Sequence, residues 1–147
     1  MPAFKVLWIA LASATFVACV SPSDPLGRVE ALEEAQKRYT EAIRWGDLER
    51  ASRYVAADQR EAFLALADAF ESVRFTDYEI GDLDVDPADL AKAEVVVSYH
   101  GYVLPHYLER RVSDRQVWVR EGAVGNRWVV QPQLALLIDE MGGSVGR

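Results

Sequence analysis

The sequence predicts an α+β fold in which three N-terminal helices pack on an antiparallel sheet of about four strands. Three observations lead there. From Arg28 to Phe70 apolar residues recur every three or four positions, the period of a helix with one buried stripe. After Phe70 the period becomes two, in segments rich in β-branched and aromatic residues. Those segments are separated by turn residues rather than by helical crossovers, so neighbouring strands run antiparallel and the helices gather on one face.

Each element follows in order. In the first helix Leu32, Ala35, Tyr39, Ala42 and Ile43 form the apolar stripe, with Glu33, Glu34, Lys37, Arg38 and Glu41 on the other side. Trp45-Gly46-Asp47 ends it, because Gly46 suits a left-handed C′ position and Asp47 an N-cap. The second helix spans Leu48 to Ala56, with Leu48, Ala51, Tyr54 and Val55 on one side. Asp58-Gln59-Arg60-Glu61 has a capping-box form and opens a third helix, whose stripe is Phe63, Leu64, Leu66, Ala67 and Phe70. Strands are expected over residues 72–80, 94–104, 110–121 and 127–132. Gly81 to Leu90 is an acidic connection, and Gly122 to Asn126 a turn with two glycines. The C-terminal segment reads as a turn or two of helix that then frays.

Residues 1–18 differ in kind from all of this. Lys5 is their only charge, and Val6 to Ala18 is an unbroken apolar or small run. Thirteen residues match an export-signal h-region and fall short of the ~20 that cross a bilayer as a helix. Phe16-Val17-Ala18-Cys19 then resembles a bacterial lipobox, in which the cysteine is lipidated and becomes the first residue. Phe16 stands where that motif usually has leucine. The alternative is an ordinary signal that leaves Cys19 as a partnerless thiol in an oxidising compartment. Under the lipoprotein reading residues 1–18 are a signal peptide, 19–27 the lipidated cysteine and its tether, 28–138 the folded domain and 139–147 a flexible tail. The resemblance implies palmitate on Cys19, a membrane partner and a cell-envelope location facing the periplasm. Val20, rather than an aspartate, after the cysteine points toward the outer membrane.

The formal net charge of the 147 residues is −7. Removing residues 1–18 takes away Lys5, leaving 15 basic against 23 acidic residues. A chain of that sign, with no basic run longer than a pair such as Arg110-Arg111, repels phosphate backbones, so no nucleic-acid partner is expected.

From Arg28 to about Pro132 the order of elements resembles the NTF2-like superfamily, the cystatin-like α+β roll that includes SnoaL-type and ketosteroid-isomerase-like domains. The resemblance rests on "YTEAIRWGDLERASRYVA", on "FTDYEI" at the opening of the sheet, and on the terminal hairpin "RQVWVREGAVGNRWVV". It implies that the sheet is curved around a cavity, and it implies no single activity.

Chemistry has few candidates. His100 and His106 are the only histidines, and no third ligand stands at a metal-like spacing, so neither metal nor cofactor is expected. If His100 faced the cavity beside Asp77, Glu79 or Asp114, it could serve as a general base on an apolar substrate. Alternation leaves open which parity faces inward. Tyr102, Tyr107, Trp118 and Trp128 form the other group, either as core or as a surface for a partner or ligand. Arg110, Arg111, Arg115, Arg120 and Arg127 mark a solvated sheet or a site for an acidic partner.

Together these readings predict an envelope lipoprotein whose NTF2-like domain binds a protein partner or a small apolar ligand without catalysis, with a homodimer through the sheet face as a further expectation. The alternatives are a cofactor-independent isomerase or lyase working in the roll cavity, and a structural component of an envelope assembly. His100 and a carboxylate lining one concave pocket would favour the enzyme.

Overall fold

The computed structural model describes residues 24–143; Cys19, the signal segment and the first tether residues lie outside them. Helix α1 (Arg28–Trp45) ends as its sequence dictates. Gly46 takes φ 73° and its N–H reaches the carbonyls of Ala42 and Ile43, while the Asp47 carboxylate accepts from the Arg50 N–H and starts α2 (Leu48–Ser52). The expected third helix is two short ones, α3 (Arg60–Leu64) and α4 (Ala67–Phe70). An i to i−3 bond from the Leu66 N–H to the Phe63 carbonyl tightens the chain between them. Phe63 and Phe70 are both buried.

Five strands follow: β1 (Val73–Ile80), β2 (Asp84–Val85), β3 (Lys92–Val103), β4 (His106–Glu121) and β5 (Arg127–Gln131). All pairings are antiparallel, in the order β1-β3-β4-β5, and β2 pairs with β3 on the same side as β1. The fifth strand, two residues inside the acidic connection, was not expected. Gly81 and Asp86 donate to the carbonyls of Val96 and Lys92 on either side of it, so the connection tracks the edge of β3.

One face of the sheet carries the core. Ala93, Val95, Val97 and Tyr99 of β3 face α1 together with Val112 and Trp118 of β4, in strict alternation. Helix α5 (Leu134–Met141) closes the C-terminal side through Leu134, Leu137, Ile138 and Met141. Packed structure therefore extends past residue 138, where the folded domain was expected to end. The Val130 N–H donates to the Tyr54 carbonyl, tying β5 to the turn after α2. The result is the expected α+β architecture, with helices packed on one face of an antiparallel sheet.

Within β1 the register shifts between Phe75 and Asp77, which face Gly101 and His100 on β3. Thr76 is the extra residue, a β-bulge that reverses the parity of everything after it. Phe75 faces the core, and beyond the bulge Tyr78, opposite Tyr99, continues the core face. Asp77 and Glu79 are turned outward.

Candidate functional site

The bulge decides the fate of the first candidate group. Asp77 stands directly across from His100, and His100 across from Arg111, all on the outer face of the sheet. Glu79 pairs with Arg111 at 2.6 Å, and the Asp77 carboxylate accepts from the Tyr78 N–H at 2.8 Å. His100 and two carboxylates are thus brought to one face, but to the wrong one for a cavity. None of these three residues lines the cavities described below. The basis for His100 as a base in the roll is removed.

The core-facing side of the sheet holds a different polar group. On β4 Asp114 and Gln116 share the inward face of Val112 and Trp118, and on α1 Gln36 and Thr40 lie one turn apart on the stripe of Tyr39 and Ile43. The Gln116 amide donates to Asp114 Oδ2 at 3.0 Å and to Thr40 Oγ1 at 3.3 Å. Gln36 donates to Thr40 Oγ1 at 3.0 Å and to Gln116 Oε1 at 3.4 Å, and the latter also accepts from the Trp118 indole. Tyr39 meets the Trp118 ring edge-on at 5.7 Å. The buried Tyr99 hydroxyl, beside Thr40 and Gln116, has no hydrogen-bond partner among the described residues.

Asp114 is 6% exposed. Burial raises its carboxyl to about 6; the Gln116 hydrogen bond opposes the shift and the charge of Glu140 on α5 adds to it. Burial, then the Asp114 charge, pushes the Tyr39 and Tyr99 hydroxyls well above the usual phenol range. A carboxyl that exchanges its proton near neutrality, with tyrosines around it, can donate or accept a proton in an apolar setting. Yet large side chains fill this space: Trp118, Tyr99 and Phe63 are each at most 2% exposed.

Of the aromatics named as a surface, Trp118 and Trp128 are core. Trp128 also donates its indole N–H to the Arg28 carbonyl at 2.9 Å. Tyr102 and Tyr107 are different, with ring centroids 5.2 Å apart at the turn end of the β3–β4 hairpin. Tyr107 is 74% exposed and the adjoining Leu108 68%. The arginines are engaged locally. Arg111, Arg115 and Arg127 pair with Glu79, Glu94 and Glu121, and Arg120 donates to the carbonyls of Leu90, Gly122, Ala123 and Gly125. That accounts for four of the five without an acidic partner.

The largest described cavity, about 770 Å³, is an open groove where Trp45, Leu48, Leu64, Phe70 and Val73 meet. Two others, of about 340 and 310 Å³, lie beside Trp128 and beside β2. Among the described residues no cluster of three His, Cys, Asp or Glu side chains could hold a metal ion, and no helix is long and apolar enough to cross a membrane.

No protein-family model and no curated protein matches the chain. Two solved structures resemble it in chain path, each provisionally described as a polyketide cyclase. The one from Xanthomonas campestris pv. campestris is 14% identical over 78% of this chain and 98% of its own, with a TM-score of 0.49. The one from Silicibacter sp. TM1040 is 14% identical over 80% of this chain and 97% of its own, also at 0.49. No residue role is carried over from either.

Proposed function

We propose that this is an envelope lipoprotein, anchored through Cys19 and facing the periplasm, whose α+β roll binds a protein partner without catalysis. The observation that carries the binding reading is the hairpin end. Tyr107 and Leu108 are consecutive, largely exposed and backed by Tyr102, an aromatic and aliphatic patch of the composition that anchors protein contacts. A small apolar ligand in the roll has less support, because Trp118, Tyr99 and Phe63 occupy the core-facing space. Two copies pairing through the outer sheet face belong to the same proposal, with Val96 exposed on that face. The test is a photo-crosslinker at Leu108 of the membrane-bound protein, compared with one at Val96. A discrete adduct at 108 that Tyr107→Ala abolishes supports the reading. No adduct at 108, or one that Tyr107→Ala leaves unchanged, counts against the hairpin-end reading, and an adduct at 96 with the mass of two copies supports the pairing.

One observation favours a second reading, the cofactor-independent isomerase or lyase. Asp114 combines burial, a carboxyl raised to about 6 and a neighbouring Tyr99 hydroxyl without a partner. In this reading Asp114 takes and returns a proton next to the carbonyl of an apolar ketone, with tyrosine hydroxyls stabilising the enolate oxygen. Exchange of the ketone's α-protons in heavy water, followed by NMR, tests it. Exchange that persists unchanged in Asp114→Asn removes the carboxylate from the mechanism.

A further inference from the structure

Five of the eight large apolar side chains exposed among the described residues lie at the two ends of α1 and β3; Ile80, Val96 and Leu136 lie elsewhere. Helix α1, 18 residues and so about 27 Å long, runs from Arg28 at one end to Trp45 at the other. Strand β3 spans the same direction over 12 residues, roughly 35–40 Å allowing for curl, from Lys92 beside Val119 to the Tyr107 hairpin. Trp45, Tyr107 and Leu108 mark the far end. At the near end, the Asn126 side chain donates to the Leu26 carbonyl at 2.5 Å and joins the segment before α1 to the β4–β5 turn. Leu26 there is 53% exposed and Val124, in that turn, 85%.

We infer that this near end is a lipid-contact surface, with Leu26 and Val124 inserting among the headgroups of the membrane that holds Cys19. The inference rests on the anchoring reading, and covalent geometry carries it further. Asp24 is fixed to the domain, its carboxylate accepting from the Val29 N–H at 2.7 Å. Only four residues separate it from Cys19, so a fully extended chain places Asp24 at most ~18 Å from the anchored residue. A domain about twice that long cannot turn its far end alone to the bilayer, so the near end stays within reach of the headgroups. Two exposed aliphatic side chains on turn segments at that end are suited to the headgroup boundary.

Charge sets the kind of surface. Arg28, Lys92, Arg120 and Arg127 at this end stand among Asp24, Asp86, Asp89, Glu94 and Glu121, with Lys92 and Arg127 paired to Glu94 and Glu121, so basic charge does not prevail there to draw it to anionic lipid. The surface that fits is zwitterionic phospholipid. The same orientation holds the Tyr107–Leu108 patch away from the membrane, where a soluble or opposing partner can reach it.

The test uses the full lipidated chain in phosphatidylcholine vesicles. Cys19 is the only cysteine, and its sulfur would be a thioether, so Val124→Cys and, at the far end, Asp68→Cys each supply one thiol for an environment-sensitive dye. The expected result is a blue-shifted emission at 124, with nitroxide-lipid quenching roughly threefold stronger there than at 68. Equal quenching at both positions in protein that floats with the vesicles overturns the lipid-contact surface and leaves anchoring intact. Protein that does not float, or wild type that takes up dye at Cys19, overturns anchoring, and this inference with it.

Discussion

Replacing Asp114 by asparagine should stabilise the protein at neutral pH and leave it almost unchanged in mild acid. The carboxyl rises from 3.8 to about 6 on folding, and desolvation is the main cause. Between those two values the folded state binds more protons than the unfolded one, so stability falls as pH rises through the window. Below 3.8 both states are protonated and nothing is lost; above 6 the full penalty applies. At 1.36 kcal/mol per pH unit, the rise from 3.8 to about 6 amounts to about 3 kcal/mol at pH 7.5 and under ~1 kcal/mol at pH 4. Because Asp114 is 6% exposed, solvent screening discounts this little. Asparagine keeps an oxygen for the Gln116 amide and carries no charge to bury. Urea unfolding at pH 4 and 7.5, followed by the fluorescence of the buried Trp118, measures the difference between variant and wild type. The reasoning predicts that this difference grows by about 2–3 kcal/mol toward neutral pH. A difference independent of pH, or one that grows toward acid, would refute it.

Other substitutions probe the rest of the account. Gly101→Ala would put a Cβ 2.2 Å from the Arg74 carbonyl oxygen and 2.9 Å from the Phe75 ring, so it should cost about 3 kcal/mol or more in denaturant unfolding. Arg120→Met removes the donors that gather four carbonyls around the β4–β5 turn. A loss of about 1–3 kcal/mol is expected, with faster amide exchange confined to residues 121–127. His100→Ala and Asp77→Asn sit on the solvent face, and each should change stability by less than about 0.5–1 kcal/mol without altering any proton exchange that depends on Asp114. A large loss of that exchange in His100→Ala would return the histidine to the chemistry.

The helices and strands were legible because each rests on a local rule: the period of α1, Gly46 and Asp47 at its end, the β-branched runs, and the glycines of the last turn. The site was less so. Parity along β1 cannot be read through the bulge at Thr76, since one inserted residue sends Asp77 and Glu79 to the outer face and Tyr78 inward. The buried polar group had a readable signal, because Asp114 and Gln116 share the alternation of Trp118 and Val112 on β4. Choosing that parity required knowing that Trp118 is core, which depends on Tyr39 approaching it from α1. The split between α3 and α4 carries no glycine or proline to announce it. The two-residue β2 is held by backbone bonds to β3, which side-chain patterns do not encode.

The proposed anchoring through Cys19 underlies both the proposed compartment and the proposed orientation. The most direct measurement is metabolic labelling with a palmitate analogue in cells expressing wild type or Cys19→Ala, combined with membrane fractionation. The account predicts label and membrane association for wild type, and neither in the variant. Label retained in Cys19→Ala, or an unlabelled wild type recovered in the soluble periplasmic fraction, would contradict it.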